Sequence, residues 1–304
     1  MAKKKIIILG NRGFLGAALY DFLRKKDESE IMGFNSSNLN LKSPSILNQI
    51  INCADKNTTI VSTARASSEP DPLKTFNQDL AITSNIAQFL KKTPVKKFVY
   101  NSSISIYGED TANLGITEET KIAPSSHYGI SKFTSEELLR KAAKEQETPF
   151  VVLRPCMIYG PGYVGLPYGP DRMVDSLVKN NQVEIFGDGS DRRDFLFIND
   201  FIKIIKIFIG DNCCGTYNLG TGDNYSPWNI VRILRSLTGN DFPVIKLKRT
   251  KPKINQKLDI SKLKGILKDY VFTSLEIGLK RSLRSFQGMN SFNMLNTTTK
   301  ETSL

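Results

Sequence analysis

Short apolar runs alternate with longer amphipathic segments through the first two-thirds of the chain. The apolar runs are predicted strands because they are short, rich in β-branched residues and bounded by turn-forming residues. They occupy residues 5–9, 30–34, 59–62, 97–101 and 150–153. The segments between them have helical spacing and occupy residues 15–25, 44–53, 76–91 and 128–146. This alternation predicts an α/β fold, a doubly wound parallel sheet with helices on both faces.

The pattern changes after Arg154. Residues 159–170 are too rich in glycine and proline for a helix or strand, and they predict an irregular loop that opens a smaller α/β lobe. Residues 194–200 have the pattern of a strand that returns to the main sheet. We therefore expect a first domain of residues 1–155 with 194–210, and a lobe of 156–193 with 211–285. The weakly periodic residues 286–304 predict a disordered tail.

A glycine-rich loop directly follows the first predicted strand and opens the first predicted helix. Glycines at this place permit a tight turn and close approach to a pyrophosphate, while the helix N-terminus supplies N–H donors. The loop is therefore a predicted dinucleotide site. It comprises Gly10, Asn11, Arg12, Gly13, Phe14, Leu15 and Gly16.

The end of the second predicted strand points to NADP rather than NAD. An acidic residue that would bind the adenosine ribose is expected near position 35, but Asn35 and Ser36 stand there. Arg12 lies in the glycine loop, where its guanidinium could bind a 2′-phosphate. The alternative is that Arg12 is merely an exposed side chain, so NAD remains open.

Tyr128 and Lys132 are four residues apart and therefore share one face of a predicted helix. A neighbouring ammonium favours the phenolate form of a tyrosine, which makes the pair suitable for moving a proton. Ser103, which follows the fourth predicted strand, can hydrogen-bond the reacting oxygen. Together with the glycine loop, this set predicts a redox enzyme.

Composition narrows the function further. The four cysteines lack metal-ligand spacing and His127 is the only histidine, so we expect no metal and no Ser-His or Cys-His chemistry. The basic N-terminus precedes only four apolar residues, too few for a signal or membrane segment, so a cytoplasmic protein without membrane insertion is expected. Net charge is +12, and residues 242–304 are especially basic, which indicates an anionic partner.

The chain resembles the extended short-chain dehydrogenase/reductase family, in its NAD(P)-dependent nucleotide-sugar epimerase/dehydratase branch. The resemblance runs from about residue 5 to 285. It includes the GxxGxxG spacing of the glycine loop, residues 102–108, 117–119, 124–132 and 153–162, then 186–189, 193–195 and 217–220. It implies a Rossmann-type domain that binds NADP or NAD, and a lobe that binds a nucleotide-diphosphate sugar. It also implies a homodimer built on the helices near 76–91 and 128–146.

The resemblance also implies roles for individual residues. Ser103, Tyr128 and Lys132 would be catalytic, and Lys132 would also hold the nicotinamide ribose. Arg193 would bind the substrate diphosphate, although an internal ion pair with Asp188 or Asp191 is an alternative. Further residues expected at the cofactor are Thr63, Ala64, Arg65 and Pro155, and further residues expected at the substrate are Ile104, Met157 and Lys253. Arg65 could equally face solvent.

Departures from the family pattern indicate the reaction. Sugar dehydratases of this family carry an Asp-Glu pair where Ile104 and Ser105 stand, so dehydration is not expected. What remains is reduction of a 4-keto sugar nucleotide, which Arg12 favours, or 4-epimerisation with bound NAD. A non-catalytic scaffold that binds RNA or senses redox state is a third alternative, although nucleic-acid binding is not favoured because the catalytic trio is kept.

Overall fold

The computed structural model describes residues 4–43, 47–109, 112–163, 168–249 and 253–298. The strands are β1 (Lys5–Leu9), β2 (Glu30–Phe34), β3 (Thr58–Ser62), β4 (Lys97–Asn101), β5 (Asn113–Ile116), β6 (Phe150–Pro155), β7 (Met157–Tyr159), β8 (Val183–Phe186), β9 (Phe195–Phe197), β10 (Gly215–Leu219), β11 (Val244–Leu247) and β12 (Gln256–Leu258). The helices are α1 (Phe14–Lys26), α2 (Leu47–Cys53), α3 (Pro72–Lys92), α4 (His127–Glu145), α5 (Gly169–Asn180), α6 (Ile198–Gly210), α7 (Pro227–Thr238), α8 (Ser261–Leu267) and α9 (Leu275–Thr298). A short 3₁₀ helix covers Ile104–Tyr107.

Six parallel strands form the central sheet, in the order β10-β6-β4-β3-β1-β2. Side chains of one strand alternate between the two faces, so Ile6 and Ile8 enter one hydrophobic core and Ile7 and Leu9 enter the other. Helices α1 and α6 cover the first face, and α3 and α4 cover the second. The predicted α/β fold with a parallel sheet is thereby confirmed. The chain reverses its direction across the sheet between β1 and β3, where a ligand crevice is expected.

One predicted strand lies elsewhere. Residues 194–200 do not return to the central sheet, because β9 pairs with β7 in a separate two-stranded sheet. The sixth strand of the central sheet is β10, which the sequence had placed in the smaller lobe, and it pairs in parallel with β6. Both segments are short, so their local patterns do not distinguish the two positions. Three two-stranded sheets, β11-β8, β12-β5 and β7-β9, lie outside the central sheet.

The end of the chain is more regular than the sequence predicts. Helix α9 continues beyond residue 286 to Thr298, although a disordered tail was expected, and residues 299–304 lie outside the described residues. Leu275, Leu279 and Leu283 are buried, and Phe286 packs against the same core. These four apolar side chains recur every three or four residues, so one face of the helix is buried up to the predicted boundary.

Helices α3 and α4 pack together on one face of the sheet. The hydroxyls of Thr83 and Ser135 lie 2.7 Å apart between them. Ile130 and Leu138 of α4 are 40% and 42% exposed. The homodimer expected on these helices stays a prediction. Within the described ranges, no helix is both long and apolar enough to cross a bilayer.

Candidate active site

The glycine loop connects β1 to α1 with little space around its backbone. Gly10 has φ of +93°, and a Cβ there would lie 2.8 Å from the backbone nitrogen of Ala64. A Cβ on Gly16 would lie 2.1 Å from the Gly10 carbonyl oxygen and would also meet Thr63. Only glycine fits at these two positions, so the backbone forms a cradle at the N-terminus of α1.

The end of β2 presents amides and hydroxyls beside this cradle. The Asn35 side-chain amide donates to Oδ1 of Asn11 at 3.0 Å, and its own Oδ1 accepts from the Ser37 backbone N–H. Nη1 of Arg12 donates to the Ser37 hydroxyl at 2.7 Å. The Arg12 guanidinium therefore lies at the end of β2, beside Ser36, and no carboxylate of the described chain pairs with it.

A cleft of about 530 Å³ joins these residues to the centre of the sheet. The buried Oδ1 of Asn101, a residue of its lining, has no hydrogen-bond partner. The cradle and this polar lining fit a dinucleotide. The predicted cofactor residues that line the cleft are Gly10, Arg12, Gly13, Phe14, Leu15, Gly16, Asn35, Ser36, Thr63, Ala64, Arg65, Tyr128 and Lys132. Pro155 lies instead in the neighbouring cleft, described below.

Helix α4 begins close to the residues that follow β4. The Ser126 hydroxyl caps the helix by accepting from the Gly129 backbone N–H at 3.0 Å. A Cβ on Gly129 would lie 2.6 Å from the carbonyl oxygen of Ser105, so the helix packs directly against the 3₁₀ helix. This contact brings Tyr128 close to Ser103, and both residues line a second cleft described below.

Lys132 is buried behind the ring of Tyr128. Its Nζ donates to the Asn101 carbonyl oxygen at 2.8 Å and lies 5.8 Å from the centroid of the Tyr128 ring. Burial lowers the pKa of Lys132 to about 8, with Arg65 acting in the same direction and Asp79 opposing it. The Lys132 ammonium is therefore a stronger acid than that of an exposed lysine, and it loses its charge around pH 8.

Tyr128 faces Arg65 across the cleft. Cζ of Arg65 lies 4.7 Å from the centroid of the Tyr128 ring, so this side chain faces the site as well as solvent. Burial raises the pKa of Tyr128, whereas Arg65 and the Ser103 side chain lower it. The carboxylates of Asp79 and Glu109 also raise the pKa of Tyr128. The arrangement can move a proton only if cations oppose this desolvation.

A buried ion pair lies directly behind the trio. Glu136, on the inner face of α4, accepts from Arg154 at 2.6 Å and 3.1 Å, and it also accepts from the Ser102 hydroxyl. Arg154 donates to the Tyr107 hydroxyl at 2.7 Å, and Tyr107 donates to Asn218. This network ties α4, which carries Tyr128 and Lys132, to the ends of β4 and β6.

A second cleft of about 480 Å³ opens on the other side of Tyr128. The predicted substrate residues that line it are Ser103, Ile104, Tyr128, Met157 and Arg193. Arg193 is partly buried, and burial lowers its pKa. The carboxylates expected as an alternative partner, Asp188 and Asp191, pair with Arg249 instead, each at 2.7 Å. Within the described residues, Arg193 therefore has no ion-pair partner and can receive an anionic group of a ligand.

Lys253 is not among the residues that line the clefts, contrary to expectation. It is exposed and lies near Asp188, whose pKa it helps to lower after the hydrogen bonds from Ser190. Gln256 takes a place in the lining instead, because its amide donates to the Gly108 carbonyl oxygen at 2.8 Å and β12 pairs with β5. That long-range pairing has no local sequence signal.

Sequence reasoning also missed two tyrosines between the clefts. Tyr163 and Tyr168 line both clefts, and their ring centroids lie 5.3 Å apart. Tyr163 also contacts Phe14, at 5.0 Å between centroids. Aromatic residues in a glycine- and proline-rich loop were the available signal. In the part of the chain that the structure describes, no cluster of His, Cys, Asp and Glu could hold a metal ion.

Comparisons with a family profile and with curated proteins agree on one family. The profile of the NAD dependent epimerase/dehydratase family matches residues 6–220. The uncharacterized UDP-glucose epimerase YtcB of Bacillus subtilis is 31% identical over 196 residues, which cover 62% of this chain and 60% of that protein. A putative UDP-glucose 4-epimerase of Methanocaldococcus jannaschii is 28% identical over 256 residues, covering 77% and 82% of the two chains. The chain thus spans less than two thirds of the length of YtcB.

Solved structures share the fold. The UDP-glucuronic acid 4-epimerase of Bacillus cereus, in complex with UDP-glucuronic acid and NAD, superposes with a TM-score of 0.80 at 23% identity. The superposition covers 94% of this chain and 99% of that one. The family profile matches well over half of the chain, across the glycine loop, the Tyr128–Lys132 helix and the central sheet. The chain belongs to the NAD dependent epimerase/dehydratase family.

Proposed function

We propose that the protein is a nucleotide-sugar 4-epimerase that works with a bound nicotinamide cofactor. The observation that carries the proposal is the position of Tyr128, which lines both the glycine-loop cleft and the cleft that contains Arg193. A group at this junction can contact a cofactor and a substrate at once. The similar proteins named as UDP-glucose epimerases support this reaction class over the keto-sugar reduction that the sequence favoured.

The chain's own residues supply the proton chemistry. The phenolate of Tyr128 accepts the proton of the sugar 4-hydroxyl as that carbon is oxidised, and the phenol returns it on reduction. Ser103 hydrogen-bonds the same oxygen, and Lys132, behind the ring, contributes part of the positive charge that favours the phenolate. When bound, the cofactor would accept hydride from the sugar carbon and give it back. Arg193, in the same cleft, binds the substrate diphosphate through its planar guanidinium.

The residues after β4 argue against dehydration. Ile104 and Ser105 both line the substrate cleft, but neither side chain can act as a carboxylic acid or base. The Ser105 hydroxyl is engaged with Ser103, whose hydroxyl donates to it at 3.1 Å. Elimination of water needs an acid and a base at the sugar, so epimerisation or simple reduction fits these residues better.

The test is the stoichiometry of the reaction. We expect the purified protein to interconvert a UDP-hexose or UDP-hexuronic acid with its 4-epimer while total NAD(P)H stays constant. Chromatography of the sugar nucleotides, with absorbance at 340 nm, measures both quantities. Oxidation of one NADPH per 4-keto sugar consumed, without epimerisation, would establish the second candidate, a reductase. Salt-sensitive retention of RNA without any turnover would support a scaffold instead.

We propose that the cofactor is NADP(H), because Arg12 and Ser37 lie where a 2′-phosphate would be bound. Changing Arg12 to Ala is expected to weaken NADP(H) binding by about 1.5–3 kcal/mol, the contribution of a charge-assisted hydrogen bond. NAD(H) binding should barely change, since it lacks the phosphate. Fluorescence titration with both cofactors measures the difference. Equal losses for both, or no loss for either, would contradict NADP preference and favour NAD.

A further inference from the structure

Arg65 occupies an unusual position for an arginine of an exposed loop. It follows β3, lines both clefts, and places its guanidinium over the ring of Tyr128, with Cζ 4.7 Å from the centroid. The described residues offer it no carboxylate within ion-pair distance. The aromatic face that its guanidinium contacts is that of the proposed catalytic tyrosine.

Lys132 alone is a poor source of positive charge for this phenol. Its Nζ lies 5.8 Å from the Tyr128 centroid and donates to the Asn101 carbonyl oxygen. Burial also lowers the pKa of Lys132 to about 8, so part of the ammonium is lost just above neutral pH. A guanidinium, in contrast, stays charged throughout this range. Arg65 is thus the closer cation to the ring and the more persistent one.

We propose that Arg65 is a positioning residue that acts through Tyr128, by stabilising its phenolate form. The inference rests on the proposed role of Tyr128 as proton acceptor. A cation within about 4–6 Å of a titrating group favours the charged form of an acid. In the reaction, the stabilised phenolate of Tyr128 takes the proton of the sugar hydroxyl. Arg65 itself forms and breaks no covalent bond.

The other charged and titratable groups around Tyr128 do not replace Arg65. Burial raises the pKa of the phenol, and after Arg65 the Ser103 side chain is the next influence that lowers it. Asp79, fixed by a 2.7 Å hydrogen bond from the Ala66 backbone N–H, raises it from α3, as does Glu109. The groups that face Tyr128 are Arg65, Lys132, Ser103, Asp79, Glu109, Tyr100 and Tyr168.

The test is a spectroscopic titration of Tyr128 that needs no substrate. Phenolate absorbance near 295 nm is followed against pH in the complex with oxidised cofactor, and the curve of the Tyr128→Phe variant is subtracted, which leaves Tyr128 alone. We expect Arg65→Gln to move the midpoint upward by about one pH unit or more. Arg65→Lys, which keeps the charge, should move it less. The ascending limb of kcat against pH should shift equally, with KM little changed.

Arg24→Gln is the matched control, because Arg24 stacks on Tyr20 at 5.6 Å on the surface of α1 and should leave the Tyr128 midpoint unchanged. An unchanged midpoint in Arg65→Gln would overturn the proposal. A loss of cofactor affinity without any shift would do the same, by making Arg65 a cofactor ligand only. A shifted midpoint in a protein that epimerises no sugar nucleotide would uphold Arg65 while the proposed reaction fails.

Discussion

The Tyr128→Phe variant is expected to lose at least about 99% of kcat, since a positioned acid–base group contributes roughly 10²–10⁴-fold to the rate. The phenylalanine ring can still pack against Arg65 and Lys132, but it can neither accept nor donate a proton. Cofactor affinity should therefore stay close to that of the unchanged protein. Steady-state kinetics and cofactor titration measure the two quantities separately.

Lys132→Met gives the contrasting result. Removing the ammonium should lower both kcat and cofactor affinity, because Lys132 lines the cofactor cleft as well as lying behind the Tyr128 ring. If Tyr128→Phe kept more than about a hundredth of kcat, general acid–base catalysis by Tyr128 would be the wrong mechanism. If it lost cofactor affinity to the same extent as activity, the tyrosine would serve in binding rather than in chemistry.

The second large effect concerns stability. Glu136→Ala should lower the free energy of unfolding by about 3–5 kcal/mol, because it leaves the Arg154 guanidinium charged and unpaired inside the protein. The Glu136 side chain is fully buried and that of Arg154 is 5% exposed, so water cannot compensate for the lost carboxylate. Chemical denaturation followed by circular dichroism measures the change.

Glu137→Ala is the control at the next position of the same helix. Glu137 is 55% exposed and, among the residues that the structure describes, pairs only with Arg140, at 3.3 Å, so its loss should cost less than about 1 kcal/mol. A double variant, Glu136→Leu with Arg154→Met, should recover part of the stability, since neither charge then remains buried. If Glu136→Ala were no less stable than Glu137→Ala, the pair would contribute nothing measurable to the fold.

Local patterns predicted most elements because helix and strand periodicity depend on neighbouring residues. Strands β1, β2 and β4 have the predicted bounds, and α4 begins within one residue of the expected position. The glycine loop and the Tyr128–Lys132 spacing were equally visible, since each lies within a few residues of chain. Backbone conformation and a shared helix face are local properties, so these parts of the site needed no knowledge of packing.

Contacts between residues far apart in the sequence could not be predicted from local patterns. Arg65 could not be assigned to the site until the loop after β3 was packed against α4, 63 residues further along the chain. Arg249, and not Arg193, pairs with Asp188 and Asp191, which leaves Arg193 to the cleft. The choice between two nearby arginines depends on a few ångströms of side-chain placement, which composition and spacing do not express.

The chain's periodicity determined the α/β class, and its glycine, tyrosine and lysine spacing indicated the proposed dinucleotide loop and proton-transfer pair, because each depends on one or two turns of local structure. Tertiary packing decided that β10 completes the central sheet, that Gln256 rather than Lys253 lines the cleft, and that Arg65 lies over Tyr128. These outcomes depend on which buried surfaces meet across the whole fold. The residues adjacent in sequence do not determine which of these surfaces pack together.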